Sequence, residues 1–201
     1  MVAAPSRIAA RADTNGGKGT RDRILDAALR LFAEHSFAGT SLQMIADEMG
    51  ITKAAVYHHF HTREDLLSAL AEPALAEMRA LIEAAAAQRT PNARAERMLT
   101  GFVDLALRHR KLTAMLAADQ AMIHLFRTQG HYDQLVGRPL TLLAGSTPEP
   151  AGRISAAVAL AGIASTAGRE LIGDLDDDTV RRHLVETGRR ILGLRAPRTS
   201  R

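Results

Sequence analysis

The sequence predicts an all-α protein, and three observations carry that prediction. Apolar residues recur at steps of three and four along most of the chain, the spacing of one face of a helix. Ser, Thr and Asp stand where such runs begin, and Gly or Pro where they stop. With 201 residues and 46% hydrophobic content, the chain can bury a real core for one domain or two small ones. The layout divides into a basic arm over 1–19, a three-helix unit with a helix-turn-helix over 20–66, a larger helical domain over 67–195 and a tail over 196–201.

Composition removes several function classes. There is no Cys, so neither a disulfide framework nor a thiolate zinc site is available, and a reducing cytoplasm is the natural compartment. No apolar run approaches the roughly 20 residues of a membrane span. The N-terminus MVAAPSRIAARADTNGG lacks the apolar core of a secretory signal and reads as a flexible arm. No Gly-rich phosphate loop and no His-Glu metal spacing point to an enzyme, and no cofactor is expected.

Charge is unevenly placed. Residues 1–23 hold Arg7, Arg11, Lys18, Arg21 and Arg23 against Asp13 and Asp22, a balance of +3. Residues 24–67 hold Arg30, Lys53 and Arg63 against Asp26, Glu34, Asp47, Glu48, Glu64 and Asp65, a balance of −3. A basic arm ahead of a helix-turn-helix can neutralise phosphates, although basic tails are more often simply solvated.

The first helix follows the Gly16-Gly17-Lys18-Gly19 linker, with Thr20 as its cap and Ile24, Leu25, Ala28, Leu31 and Phe32 on one face. It should stop near His35-Ser36. Thr40 is then expected to open a capping box with Gln43, so that the second helix starts at Ser41 and ends at Gly50, where a left-handed residue lets the chain turn. Its inward stripe is Leu42, Ile45, Ala46 and Met49. Thr52 caps the third helix, and Ile51 with Val56 has the spacing of a hydrophobic staple.

At about 100° per residue, Val56 and Phe60 of the third helix point inward, and Lys53, Ala54, Tyr57, His58 and His61 spread over the other half. The second helix of a helix-turn-helix lies in the DNA major groove with its N-terminal residues at base edges and phosphates. Lys53 and the free amides at the helix start favour an anion, Ala54 allows close approach, and Tyr57 can donate its hydroxyl to a phosphate. The blander readings are a solvated Lys53 and a Tyr57 packed at the core edge. The cluster His58, His59 and His61 lacks a carboxylate or Cys on its face, so no metal is expected, and His59 falls on the inward side.

The stretch TRDRILDAALRLFAEHSFAGTSLQMIADEMGITKAAVYHHFHTREDLLSAL resembles the N-terminal DNA-binding region of the TetR family of transcriptional regulators, most diagnostically in its Thr-Lys-Ala-Ala-Val-Tyr-His-His-Phe segment. The resemblance covers Thr20 to about Leu70. It implies DNA contacts by Thr40, Ser41, Thr52, Lys53, Tyr57 and His58. Arg63 stands where a Lys is usual and can still hold a phosphate.

Thr62, with Asp65 three residues on, caps a helix of up to about seven turns, REDLLSALAEPALAEMRALIEAAAAQ. Pro73 should kink or split it, acting either as a lever between the two domains or as a static bend. Thr90 caps the next helix with Pro91 at its first position. Beyond it, Met98, Phe102, Leu105, Leu112, Met115, Leu116, Met122, Ile123 and Phe126 build several helices, punctuated by Gly130, Gly137 and Pro139.

Family members place a ligand pocket in this domain. That resemblance implies an apolar effector pocket lined by Met78, Phe102, Met115, Met122 and Phe126, with His124 (or His109) as a polar group, although an ordinary core explains any one of these residues as well. A last pair of helices opens at Thr147-Pro148-Glu149 and at Asp176 to Asp178. The first of them carries no charge from Ile154 to Gly168 and should be buried on all sides. One stripe is Ile154, Val158, Ala161, Ser165, Gly168 and Ile172; the other is Ala157, Leu160, Ala164, Ala167 and Leu171. The resemblance implies a four-helix homodimer interface, with Val158, Ala161, Ser165, Ile172, Leu184 and Ile191 facing the twin subunit.

The resemblance therefore implies a dimeric repressor that binds a palindromic double-stranded DNA operator and is released by a small hydrophobic effector. A DNA-binding protein without an effector is the alternative, and a tightly filled second domain would favour it.

Overall fold

The computed structural model describes residues 19–145, 147, 149–168 and 172–194. Most of the expected basic arm, all of the expected tail and Leu171 lie outside them. Among the described residues there are ten α-helices, one π-helical turn and no strand. In order these are α1 (Thr20–Gly39), α2 (Leu42–Met49), α3 (Lys53–His59), α4 (Arg63–Ala86), α5 (Pro91–Arg108), α6 (Arg110–Ala118), α7 (Gln120–Thr128), the π turn Asp133–Gly137, α8 (Arg138–Ala144), α9 (Ala151–Ala167) and α10 (Asp177–Leu192).

Caps set most of these boundaries. The Thr62 hydroxyl accepts from the Asp65 amide at 3.0 Å, and the Asp65 carboxylate accepts from the Thr62 amide at 2.9 Å, a reciprocal capping box. Thr90 accepts from Ala93 at 3.2 Å, with Pro91 as the first helical residue. Asp176 accepts from Thr179 at 2.9 Å. Two expected caps move. Gly19, not Thr20, precedes α1. Ser41, not Thr40, caps α2 and accepts from the Met44 amide at 3.2 Å.

Helix α1 breaks at Ser36, whose φ of 64° and ψ of 165° interrupt the helical path. Its hydroxyl accepts from the Gly39 amide at 3.2 Å and so starts the last short turn. The buried Thr40 hydroxyl is directed back at the carbonyls of Leu31 and Ser36, at 3.0 and 2.9 Å. Thr40 thus serves the end of α1, where carbonyls lack helical partners, rather than the start of α2.

Two cores form, and α4 belongs to both. Leu66, Leu67, Ala71 and Leu75 join the first, with residues of α1, α2 and α3. Met78, Leu81, Ile82 and Ala85 join the second, with α5, α8, α9 and α10. Pro73 lies in the first half, exposed, inside one unbroken helix. The proline does not split this helix.

The second domain is held by close contacts and ion pairs. A Cβ on Gly101 of α5 would meet Leu81 Cδ1 of α4 at 2.2 Å, and one on Gly188 of α10 would meet Leu99 Cδ1 of α5 at 2.4 Å. Arg181 pairs with Asp104 at 2.6 Å, and Arg189 with Glu96, tying α10 to α5. No helix among the described residues is long and apolar enough to cross a membrane.

Candidate nucleic-acid interface

The reading helix is built by two turns. Gly50 has a φ of 64°, and the Ile51 amide returns to the Ala46 carbonyl at 3.0 Å, so the chain leaves α2 through a left-handed residue with its last carbonyls satisfied. Thr52 then accepts from the Ala55 amide at 3.2 Å and starts α3. Val56 is fully buried and Phe60 nearly so; they anchor α3 to α1, α2 and α4.

The outward face of α3 presents Lys53, Ala54, Tyr57 and His58, all exposed, with Thr52 at its start and Ser41 at the start of α2. Tyr57 is 41% exposed, an unusual level for so large a ring. The Lys53 ammonium lies 5.4 Å from the Tyr57 ring centre, a cation–π contact that holds cation and phenol side by side on the same face. The hydroxyl can then donate to an acceptor that the ammonium attracts.

Three expected residues sit differently. Thr40 is 1% exposed and its hydroxyl is engaged by the α1 carbonyls, so it is removed from the DNA-facing set. Arg63 is half-buried, and its Nη1 donates to the carbonyls of Phe37, Ala38 and Thr40 at 3.1, 2.7 and 3.1 Å. Its guanidinium carbon lies 5.2 Å from the Phe37 ring centre. Through Nη1, Arg63 braces the turn between α1 and α2. His59 is exposed, with its ring edge-on to His58 at 5.2 Å, rather than packed inward. Among the described residues no group of His, Asp and Glu could hold a metal ion.

One neighbour of the reading helix is hard to see in sequence. Arg21, counted above with the basic arm, belongs to the first turn of α1 and holds its guanidinium carbon 5.1 Å from the Phe60 ring centre. It places an exposed cation at the end of α3. The acids are partly engaged: Glu48 pairs with Arg30 at 3.1 Å, and Asp47 accepts from Gln43 at 2.8 Å. The Arg21–Phe60 and Arg30–Glu48 contacts span 39 and 18 residues, so only the folded chain displays them, whereas Gln43 and Asp47 lie one helical turn apart.

The second domain holds a cavity of about 270 Å³ lined by α4, α5, α6, α7, the π turn, α8 and α9. Its walls include Met78, Phe102, Leu116, Leu140 and Leu160, and none of its lining side chains is charged. Thr113 is the one hydroxyl among them, buried and donating to the His109 carbonyl at 3.0 Å. Two of the expected pocket residues, Met78 and Phe102, are in the wall. Met115, Met122 and Phe126 are not: they pack into the first core, with residues of α1, α2, α3 and α4. His124 is exposed on α7 and does not line the cavity, and His109 also stays outside it.

His109 instead stands at the joint of α5 and α6, where its Nε2 lies 3.0 Å from Glu77 Oε1 of α4. Arg108 donates to the other oxygen of Glu77 at 2.6 Å. These two donors, His109 first, hold the Glu77 carboxyl below the usual glutamate range.

On α9, Ile154 and Val158 are 60% and 53% exposed, and Ala161 and Ser165 are exposed beside them. Ile191 of α10 is 36% exposed. Ile172 and Leu184, expected on the same outward face, are half-buried against their own core. Within one chain α9 buries Leu160, Ala164 and Ala167 and leaves Ile154, Val158, Ala161 and Ser165 open; burial on all sides is expected only with a twin subunit present.

Residues 24–70 match the family described as bacterial regulatory proteins, tetR family. The HTH-type transcriptional repressor KstR2 of Rhodococcus jostii (strain RHA1) is 42% identical over 55 residues, which make up 27% of this chain and 27% of that protein. The HTH-type transcriptional regulator AcrR of Shigella flexneri is 47% identical over 53 residues, 26% of this chain and 25% of that protein. The matched stretch thus spans about a quarter of these curated relatives. Among solved structures, Mycobacterium smegmatis AmtR aligns with a TM-score of 0.68 at 23% identity, over 91% of this chain and 90% of that one. The ketosteroid transcriptional regulator KstR2 of Mycobacterium tuberculosis aligns with a TM-score of 0.65 at 18% identity, over 88% and 95%. Residues 24–70 therefore match the bacterial regulatory proteins of the tetR family, and the chain shares the all-helical fold of solved regulators.

Proposed function

We propose that this chain is a transcriptional repressor that binds a palindromic operator as a homodimer and releases it when a small apolar molecule fills the cavity of the second domain. The observation that carries the DNA half is the outward face of α3, where Lys53, Ala54, Tyr57 and His58 stand exposed on a helix fixed by two caps. A single α3 of seven residues reads little sequence, and the helix-turn-helix unit is net negative, so affinity draws on a second copy. The exposed Ile154 and Val158, one turn apart on α9, support a dimer face, since exposed large aliphatic side chains grouped on one face mark an interface.

The uncharged cavity favours this reading over a DNA-binding protein without an effector. Release follows if the ligand prefers the conformation in which the two α3 helices are mis-spaced for the groove; a ligand indifferent to the two states shifts nothing. Selection of bound duplexes from a random library, repeated with neutral apolar compounds present, tests both halves. A two-fold symmetric consensus that a compound abolishes supports the reading, and enrichment insensitive to every apolar compound returns the effector-free alternative.

A further inference from the structure

The run of His58, His59 and His61 offers no metal site among the described residues, and the reading face described above uses His58 alone. All three side chains are exposed, at and just beyond the C-terminal end of α3. The rings of His58 and His59 meet edge-on, with 5.2 Å between their centres and 76° between their planes. Histidines elsewhere pair with carboxylates, as His35 does with Glu34, His109 with Glu77 and His183 with Glu186. Among the described residues, none of these three does.

The charged groups around the run are accounted for element by element. Lys53 stands at the start of the same helix, and Arg21 of α1 lies over the Phe60 ring at its end. On α2, Glu48 pairs with Arg30 and Asp47 accepts from Gln43. On α4, Arg63 is held by the turn carbonyls and Glu64 is half-buried. Asp65 accepts from the backbone amides of His61 and Thr62 at 3.1 and 2.9 Å. Permanent cations thus stand at both ends of α3, with three titratable side chains beside the second of them.

We propose that His58, His59 and His61 form a proton-linked phosphate clamp, taking up protons as α3 settles on DNA, so that acid tightens the grip on any duplex and alkali loosens it. This rests on DNA binding by the outward face of α3, and on neither the dimer nor the effector. An imidazole changes charge near neutral pH, and an anion beside it favours the protonated form. Residues 24–67 have a balance of −3 with their histidines neutral, which three protons cancel. The C-terminal end of a helix also favours a cation, and His58 and His59 are the last two residues of α3. Two imidazolium rings at 5.2 Å repel each other, and a phosphate beside both offsets that repulsion.

Linkage gives the sign and the size. The complex favours the protonated rings, so affinity rises as pH falls through the imidazole range and is flat well above it. One imidazole that holds its proton about one unit more tightly beside phosphate contributes roughly sixfold between about pH 8 and about pH 6, and two contribute roughly 40-fold. The added charges meet phosphates, so the slope of log affinity against log salt steepens in acid by up to about one unit per proton.

The test uses the full chain and a rhodamine-labelled duplex of mixed sequence, about 30 bp long, since phosphate contacts do not depend on sequence. Anisotropy at constant ionic strength should show wild-type affinity rising about tenfold or more from about pH 8 to about pH 6. Calorimetry near neutral pH, in two buffers of different ionisation enthalpy, should show net proton uptake on binding. The combined variant His58→Gln, His59→Gln, His61→Gln should bind with little response to pH and no uptake, at an unchanged urea midpoint, whereas His124→Gln on α7 should keep both. A wild-type affinity that is flat across this range, or a combined variant that keeps the wild-type response, overturns the proposal and leaves DNA binding by α3 intact. A wild type that binds no duplex at any pH overturns the DNA reading and this proposal together. If the combined variant does not fold, the three single substitutions decide, each expected to remove part of the uptake; uptake unchanged in all three overturns the clamp.

Discussion

Arg63 Nη1 lies 2.7 Å from the carbonyl oxygen of Ala38, so the first residue of α4 closes the turn between α1 and α2. The same nitrogen reaches Phe37 and Thr40. Arg63→Ala removes charged hydrogen bonds from a half-buried site and should cost about 1.5–3 kcal/mol, read as a lower urea midpoint. DNA affinity should fall with stability while its salt slope stays unchanged. An unaltered midpoint with a flattened slope would return Arg63 to a phosphate.

Lys53 and Tyr57 stand on the outward face of α3, where the proposed function puts DNA. Lys53→Ala should weaken binding to every duplex and lower the slope of log affinity against log salt by about one unit. Tyr57→Phe keeps the ring that Lys53 contacts and loses only the hydroxyl, so it should weaken binding with little change in slope. Fluorescence anisotropy over a salt series separates the two.

What could be read from sequence follows the range of the interactions. The Thr52, Thr62 and Thr90 caps and the Gly50 turn depend on residues within a few positions, and they stand where the pattern places them. Thr40 misleads because a threonine before a helix can cap forward or bond backward, and the break at Ser36 sets carbonyls behind it. Met115, Met122 and Phe126 mislead for a non-local reason. Periodicity says that they are buried, but only the docking of α6 and α7 onto α1 says in which core.

Glu77 links α4 to the joint of α5 and α6, and its carboxyl is lowered by His109 and then Arg108. A carboxyl lowered in the folded chain binds fewer protons there than in the unfolded chain. Its contribution is therefore fully present above the ordinary value of 4.5 and is lost as pH falls through the lowered folded value. Glu77→Gln should flatten the acid limb of a plot of urea midpoint against pH, most visibly below the ordinary glutamate range. An acid limb identical to that of the wild type would show that the Glu77 contacts add nothing to stability.

Gly168 sits where α9 crosses α6, and a Cβ there would meet Ala114 Cβ at 2.6 Å. A methyl group on a backbone-fixed alanine cannot swing aside, so the helices must part. Gly168→Ala should destabilise the chain by about 1–3 kcal/mol despite the better helix propensity of alanine. Thermal unfolding checks this, and a raised midpoint would mean that the crossing is looser than described.

Under the proposed function two copies of α3 read one duplex together, and the stoichiometry and symmetry of the bound DNA test this most directly. Sedimentation of the protein on its own selected duplex should give two chains per site, or a multiple of two. The selected sequence should be two-fold symmetric, with half-site centres about 10 bp apart or a multiple of that. One chain bound to an asymmetric sequence at saturation would contradict the account.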